Sequence, residues 1–370
     1  MISNRHPVSR IARDSTRLLV TTRPNNFDAI RIAMALLVVW SHSFALYFGS
    51  EANEPVSLLT HGAVNAGEVA VDVFFMLSGF LISKSFDRST SSWSYLKKRI
   101  ARIYPGYLVA VAIFAFVLLP LYAGTRYSAG GIVKTLTLNL ALRGWFIDPA
   151  PFVNNTDHAL NGSLWSIPYE FWCYIGVLAL GIVRIRKGAL LAIFAAIVAA
   201  NVWTEFTGKK FGGGIVSLVL GWPNLWFRMA PCFIAGMLLY AYRDYVPRSS
   251  RVALSGLGLF VAAAWVYPLA ADAILPLALA YAVFHWGFSC QYFRAAKYGD
   301  FSYGAYLYAY PIQQLLIAFS VLSFPIFVIV SILLSLAAGI ASWFAVERWF
   351  HRTNEPLPST PRASDVAAGP

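Results

Sequence analysis

Residues 25–49 read NNFDAIRIAMALLVVWSHSFALYFG, an apolar run long enough to cross a bilayer as one helix. Arg31 and His42 lie eleven positions apart in it, which turns a helix by about 1,100°, only about 20° past three full turns. Their side chains are therefore predicted to share one face, about 16 Å apart along the axis. An ionisable side chain at that depth indicates a functional site. The alternative is a structural histidine bonded to a neighbouring helix, with Arg31 extending to the cytosolic surface.

The composition of the whole chain predicts an all-α, polytopic membrane protein. Of its 370 residues 58% are apolar and 12% are charged, and the mean hydropathy is +0.60. We expect a basic cytosolic arm at 1–26, a membrane domain at 27–346 and a largely disordered cytosolic tail at 347–370. About ten transmembrane helices are expected, at 27–48, 68–86, 100–122, 164–183, 188–206, 225–242, 252–269, 271–289, 302–322 and 324–346.

The lysines and arginines indicate how the chain is oriented in the membrane. The two terminal segments and every second loop together hold 21 of them, whereas the loops on the opposite side hold five. Because basic residues collect on the cytosolic side, both termini are predicted to be cytosolic. Loops that contact anionic lipid also explain the net charge of +12, so no nucleic-acid partner is expected.

Three ionisable side chains are predicted at a similar depth near the outer surface. From the ends of their helices, His42 and Glu170 lie about 9 Å deep and Asp72 about 6 Å deep. Ser166 precedes Glu170 by four positions and so shares its helical face. A histidine near a carboxylate is what general-base catalysis needs, since the carboxylate fixes the imidazole tautomer. The alternative is a structural polar cluster between helices.

Basic residues collect at the opposite, cytosolic level. Arg99 and Arg102 are three positions apart on one helical face, and Arg31 lies at the same depth. Anchoring at the membrane surface explains most such groups, but guanidinium groups also suit phosphate. A phosphate site about 16 Å from a base fits a coenzyme A ester, which joins a phosphorylated head to an extended arm ending in a thioester. Acyl-CoA is therefore the expected donor substrate, with no bound cofactor and no metal.

Aromatic residues mark the outward loop 123–163 and the start of the helix after it. Trp145 lies in the loop and Trp165 follows it, next to Ser166. Aromatic rings with nearby polar groups stack on sugar faces, so these residues are candidates for binding a carbohydrate acceptor. The alternative is an interfacial tryptophan belt, which is common in membrane proteins.

Five stretches of this chain together resemble the acyltransferase-3 family, whose members are integral membrane O-acyltransferases of surface polysaccharides and related glycans. The resemblance runs from about residue 24 to residue 350. In order, the stretches are FDAIRIAMALLVVWSH, VAVDVFFMLSGFLIS, KKRIARIYPGY, SLWSIPYEF and FSYGAYLYAYPIQQ. Each is a loose pattern, but five in order within one frame of ten helices are specific.

The resemblance implies a multi-pass enzyme of the bacterial inner membrane. It would move an acyl group, with acetyl as the first expectation, from acyl-CoA to a hydroxyl of a polysaccharide or lipid-linked oligosaccharide. It casts His42 as the catalytic residue, either as general base or as transient acyl carrier. Glu170 would support His42, with Asp72 as the second choice. The chain departs from many members at Ala309, where they carry a histidine, and a separate periplasmic transferase is a possible partner.

Two other classes of protein remain as alternatives. A transporter or flippase of a glycan or acylated intermediate would also carry charged residues within the membrane, but it would usually show internal repeats. The predicted polar helices all lie in the first half of the chain, without counterparts in the second. A non-catalytic sensor of surface glycan is the other alternative, and the arginines expected to bind the donor argue against it.

Overall fold

The computed structural model describes residues 25–212, 217, 220–289 and 299–352. Nearly all of the predicted basic arm and most of the predicted tail lie outside these described residues. The part of the chain that the structure describes is helical and contains no β-strand. The α-helices are α1 (Phe27–Phe48), α2 (Pro55–Leu59), α3 (Ala66–Asp87), α4 (Ser92–Ile113), α5 (Leu119–Ala123), α6 (Ala129–Leu140), α7 (Ile167–Ile182), α8 (Lys187–Thr207), α9 (Pro223–Ala241), α10 (Ser250–Val266), α11 (Pro268–Ser289), α12 (Ser302–Phe319), α13 (Phe324–Ser342) and α14 (Arg348–Arg352).

The predicted class, an all-α membrane protein, is confirmed. Within the described ranges, six helices are long and apolar enough to span a membrane: α1, α3, α4 with its continuation through α5, α8, α11 and α13 with its continuation into α14. The other predicted transmembrane segments coincide with the shorter or less apolar helices α7, α9, α10 and α12. The number of about ten and the cytosolic termini therefore stay predictions.

The outward loop 123–163 contains a helix that the sequence reading treated as loop. Helix α6 has 12 residues, which at 1.5 Å each is about 18 Å and too short to cross a bilayer. Its apolar side chains remain half-exposed or exposed, namely Ile132, Val133, Leu136 and Leu140. A short helix with an exposed apolar face is typical of a segment that lies along the membrane surface.

Helices α3 and α9 pack with their backbones in close contact. A Cβ atom on Gly79 of α3 would lie 1.9 Å from the backbone oxygen of Phe233. A Cβ atom on Gly236 of α9 would lie 2.0 Å from the backbone oxygen of Met76. Only glycine fits at either position, and small residues at helix contacts are a common feature of membrane proteins. This contact places the α3 residues near Asp72 against the start of α9.

Helices α1 and α12 run side by side in the same direction. The side-chain amide of Gln313 in α12 donates to the backbone oxygen of Val39, 2.9 Å away, and to Oγ of Ser43, 2.8 Å away. Further along, the hydroxyl of Tyr47 donates to the backbone oxygen of Leu322 at 2.9 Å. Gln313 is fully buried, and the two hydrogen bonds from its amide nitrogen fix the register of the two helices. Arg31 and His42 are thereby held beside α12.

Candidate active site

A pocket opens between helices α1, α3, α4, α7 and α12. Six of the polar or ionisable residues that line it are Arg31, Ser78, Arg102, Ser166, Glu170 and Tyr306. Four of these were candidate site residues from the sequence, so the structure brings Arg31, Arg102, Ser166 and Glu170 to one pocket.

The arginine end of the pocket contains a carboxylate that the sequence reading missed. Asp300 lies 2.6 Å from Arg102 and 3.4 Å from Arg31, and Asp28 lies 3.9 Å from Arg31. Burial alone would raise the pKa of Asp300, but Arg102, Arg31 and hydrogen bonds from Ser302 together hold it well below its usual range. The two arginines are therefore largely neutralised within the protein. No local pattern marks Asp300, because its partner Arg31 lies 269 positions away.

Arg99 occupies a different environment from Arg102, although both were predicted on one helical face. Its guanidinium lies 5.8 Å from the ring centres of both Tyr95 and Tyr174, and it donates to Oγ of Ser85 at 3.3 Å. It is not among the residues that line the pocket. Arg99 therefore adds positive charge behind the pocket wall without facing the pocket itself.

Glu170 is held by two hydroxyl groups. Ser78 of α3 donates to its Oε1 at 2.7 Å, and Tyr174, one turn further along α7, donates to the same oxygen. Ser166 shares a 2.8 Å hydrogen bond with the hydroxyl of Tyr306 in α12. The polar end of the pocket thus combines a carboxylate with four hydroxyl side chains, which can orient a polar ligand.

His42 lies one helical turn beyond the pocket and faces α12. Its ring packs edge-on against the ring of Tyr310, with centroids 5.3 Å apart, and Tyr310 is four positions after the pocket residue Tyr306. Its Nδ1 atom is buried and makes no hydrogen bond among the described residues. Arg31 at one end and His42 at the other both lie beside α12, as their spacing predicted.

The carboxylates expected to support His42 point elsewhere. No hydrogen bond or ion pair among the described residues joins His42 to Glu170 or Asp72; Glu170 bonds to Ser78, and Asp72 pairs with Arg228 of α9 at 3.7 Å. Helical rise predicts the depth of a side chain, but its direction around the axis depends on which helices pack together. The predicted roles of Asp72, Glu170 and His42 in catalysis therefore stay predictions.

The two tryptophans proposed for sugar binding lie away from the pocket. Trp145 is partly covered by Lys134, whose Nζ lies 4.7 Å from the ring centre. Trp165 is 40% exposed and contacts the ring of Tyr169. Neither lines the pocket, and both positions suit the alternative of an interfacial belt.

The segment before α7 is attached to α12, which brings Ser166 to the pocket. The side-chain amide of Asn161 donates to the backbone oxygen of Leu307 at 2.9 Å, and Tyr306 donates to the backbone oxygen of Ser163 at 2.6 Å. Gly162 lies so close to Tyr310 that a Cβ atom would be 2.7 Å from its ring. Tyr306 and Tyr310 are thus further functional candidates; both lie in the stretch FSYGAYLYAYPIQQ, and the packing of α12 against this segment shows what they contact.

The chain is a member of the acyltransferase-3 family: the family's model, described as an acyltransferase domain, matches residues 25–344. The predicted resemblance is confirmed, and the protein is a membrane O-acyltransferase.

Three relatives show how far the similarity extends. The chain is 27% identical to an O-acetyl transferase of Shigella phage Sf6, over 90% of this chain and 98% of the relative. It is 28% identical to acyltransferase MdmB of Streptomyces mycarofaciens, over 69% and 68% of the two chains. It is 29% identical to nodulation protein 10 of Rhizobium leguminosarum bv. viciae, over 59% and 60%. No solved structure matches the chain.

Proposed function

We propose that this protein transfers an acyl group from cytosolic acyl-CoA to a hydroxyl of a surface polysaccharide, lipid-linked oligosaccharide or related glycan. Acetyl is the favoured acyl group. The bacterial inner membrane is the proposed location. One observation carries this proposal: the pocket extends from Arg31 and Arg102 to Ser166 and Glu170, and the helix pair α1 and α12 continues from it to His42. A long ligand with an anionic head and a reactive end fits such an arrangement.

Arg31 and Arg102 are proposed to hold phosphate groups of the donor. Asp300 shares these two arginines, so the donor must bind beside this carboxylate or displace it. Arg99, behind Tyr174, contributes a further positive charge to this region. The side chains of Ser78, Ser166 and Tyr306 are proposed to contact the amide groups of the pantetheine arm, because hydroxyl groups can both donate and accept hydrogen bonds.

His42 is proposed to take the proton from the acceptor hydroxyl as its oxygen attacks the thioester carbonyl. The carbon–sulfur bond then breaks, and the departing thiolate of coenzyme A receives the proton from the imidazolium. In the second version, a ring nitrogen of His42 attacks the thioester carbonyl, the carbon–sulfur bond breaks and coenzyme A leaves as the thiol with the imidazole proton. The acceptor hydroxyl then attacks the acyl-imidazole, the carbon–nitrogen bond breaks, and the hydroxyl proton returns to the imidazole. Glu170 and Asp72 would act through the electrostatic field of the site, since neither contacts His42 directly.

The relatives support O-acyl transfer without identifying the acceptor. The phage relative is an O-acetyl transferase by name, and the Streptomyces relative is an acyltransferase by name. Because the similarity covers 98% of the phage O-acetyl transferase, acetyl-CoA is the first donor to test. A separate periplasmic transferase that receives the acyl group remains part of the proposal as a possible partner.

The test uses inverted membrane vesicles and acetyl-CoA labelled in the acetyl group. Wild type and His42→Ala are compared at matched expression, with His61→Ala as the control because His61 lies in a loop against Trp265. We expect label on a glycan or lipid-linked sugar with wild type and His61→Ala only. A loss of about 10²–10⁴-fold in His42→Ala is expected for a general base.

Two other results would contradict the proposal. Equal transfer by wild type and His42→Ala would make His42 structural. Movement of glycan across the membrane without consumption of any acyl-CoA would instead identify a transporter or flippase. If acetyl-CoA gives no label, longer acyl chains are tested in the same vesicles, and failure of all of them rules out acyl-CoA as donor.

A further inference from the structure

A second and larger cavity, of about 370 Å³, lies between helices α3, α8, α9 and α11. It lies at the predicted outer end of these helices, the same end as His42. Its lining is mixed, and its polar side chains include Asp72, Asn201, Glu205, Asn224, Arg228 and Asp272. Of the residues that line this cavity, only Asp72 has a role in the proposed acyl transfer, and that role is electrostatic.

Asp72 and Arg228 carry hydrogen-bonding atoms that the described residues leave unpaired. Asp72 is fully buried, and neither of its carboxylate oxygens accepts a hydrogen bond of normal length; the groups beside it are Arg228, 3.7 Å away, and the thiol of Cys232. The Nη2 atom of Arg228 is also buried without a hydrogen bond, 3.7 Å from Asp72, because the other nitrogen, Nη1, bonds to Glu68. Buried polar atoms are nearly always hydrogen-bonded, so this loosely spaced ion pair retains hydrogen-bonding capacity for a ligand.

Such a ligand must supply both a donor and an acceptor within a short distance. Asp72 as a carboxylate only accepts, and Arg228 only donates. A hydroxyl group does both, and a sugar presents several hydroxyls at fixed spacing. Asp272 and the amides of Asn201 and Asn224 extend the same chemistry along the wall, and Phe227 adds an apolar ring surface. A bare cation is a poorer fit, because Arg228 would repel it.

The cavity is separated from the donor pocket by helix α3. Val71 lines the donor pocket, whereas its neighbour Asp72 lines the second cavity, so the two cavities open on different sides of this helix. His42 faces α12 and contacts Tyr310. A ligand in the second cavity therefore does not present its reacting hydroxyl there; it can only hold another part of the same extended molecule.

We infer that this cavity binds the carbohydrate part of the acceptor at a subsite separate from the place of acyl transfer. The inference rests on the proposed function for the identity of the acceptor, but the binding itself is independent of the acyl donor. Asp72 and Asp272 accept hydrogen bonds from sugar hydroxyls, and Arg228 donates to a sugar oxygen. A polymer held here would be positioned while a neighbouring unit reaches His42.

The test measures sugar binding by the full chain purified in detergent. The probes are the methyl glycosides of glucose, galactose and rhamnose, and the readout is the shift in the midpoint of thermal unfolding as each sugar is titrated. Asp272→Asn, Asn201→Ala and Asp72→Asn are compared with wild type. Asp244→Asn is the matched control, since Asp244 is exposed and lies after α9, far from the cavity. Asp272→Asn and Asn201→Ala keep the test usable if Asp72→Asn does not fold.

We expect a saturable shift with at least one sugar in wild type and Asp244→Asn. The half-saturating concentration should rise about tenfold or more in Asp272→Asn, as for the loss of one hydrogen bond to a charged group. Sugars also stabilise proteins by exclusion from their surface, and that effect is the same in every variant. Equal shifts in wild type and the cavity variants, or no saturable shift with any of the three sugars, would overturn the inference.

Consumption of labelled acetyl-CoA by the same preparations separates this inference from the proposed function. If wild type uses acetyl-CoA but binds no sugar in the cavity, the enzyme activity stands and the subsite is wrong. If sugar binds and depends on Asp272 while no acyl-CoA is consumed, the subsite stands and the proposed reaction is wrong.

Discussion

The ring of His42 packs edge-on against the ring of Tyr310, with 5.3 Å between their centroids. Tyr310 is itself backed by Gly162, where no larger residue fits. The candidate catalytic ring therefore rests on an aromatic residue, and the nearby carboxylate, Asp157, interacts with Tyr310. This distinguishes it from the arrangement in which a carboxylate holds the histidine by a hydrogen bond.

Replacement of Tyr310 tests this contact. Tyr310→Phe keeps the ring and should retain most of the transfer activity, whereas Tyr310→Ala removes the surface on which His42 rests. A displacement of the base by about 1 Å can cost about 10²-fold, so the turnover number should fall by that order while the KM for acyl-CoA changes little. Equal activity of the two variants, measured with labelled acetyl-CoA at matched expression, would show that the contact does not position His42.

Asp300→Asn should lower the midpoint of thermal unfolding markedly. The change leaves Arg31 and Arg102 without their shared carboxylate, and the loss of one partner from a buried ion pair costs about 3–5 kcal/mol. Asp28→Asn is the milder control, since Asp28 lies 3.9 Å from Arg31 and is one-third exposed.

The pH dependence of this network follows from the low pKa of Asp300. Burial opposes its ionisation, but Arg102 and Arg31 outweigh burial, so the folded-state pKa lies below the unfolded one. The stabilisation is therefore fully present above the unfolded pKa of about 4 and is lost only as the pH falls below it. The difference in unfolding midpoint between wild type and Asp300→Asn should be constant from about pH 6 to 8. A difference that changes across this range would contradict the assignment.

Tyr174→Phe removes one of the two hydroxyl groups that donate to Glu170. A hydrogen bond to a charged group contributes about 1.5–3 kcal/mol, so we expect a lower unfolding midpoint and weaker use of acyl-CoA. Tyr104→Phe is a matched control, because its hydroxyl bonds to the backbone oxygen of Leu140 near the surface. Indistinguishable unfolding midpoints and KM values for the two variants would argue against a role for Tyr174 in holding Glu170.

Gly79→Ala should disrupt the contact between α3 and α9. The new methyl group would lie 1.9 Å from the backbone oxygen of Phe233, which cannot move aside as a side chain can. Overpacking of this kind costs about 1–3 kcal/mol and sometimes more. Gly258→Ala in α10 meets nothing within 4 Å, so it should leave stability unchanged or slightly raise it. Size-exclusion profiles and unfolding midpoints of the two variants in detergent check this difference.

Features that depend on local periodicity could be predicted from the sequence. The eleven-residue spacing placed Arg31 and His42 on one face of α1, and the structure has both beside α12. Hydropathy placed the helices, and motifs in order identified the family. These properties depend on the rise and turn of a single helix or on short stretches of sequence.

Features that depend on packing between distant helices could not be predicted. Asp300 meets Arg31 across 269 positions, and Asp72 turns to Arg228 instead of His42. Sequence periodicity gives the depth of Asp72 but does not say which neighbour lies on that side of α3. Helix α6 was missed because its apolar residues cover one face of a 12-residue segment, which falls below the length of a membrane span.

The parallel pair of α1 and α12 fixes the distance between Arg31 and His42 along the helix axis. Arg31 contacts Asp300, and His42 contacts Tyr310. His42 lies eleven residues after Arg31, and Tyr310 lies ten residues after Asp300. Because the hydrogen bonds of Gln313 hold the two helices in register, the interval of about 16 Å between Arg31 and His42 is constant. If the proposed donor is held by its phosphates at Arg31, this distance sets the length of arm that it needs, and a thioester on a shortened arm would not reach His42.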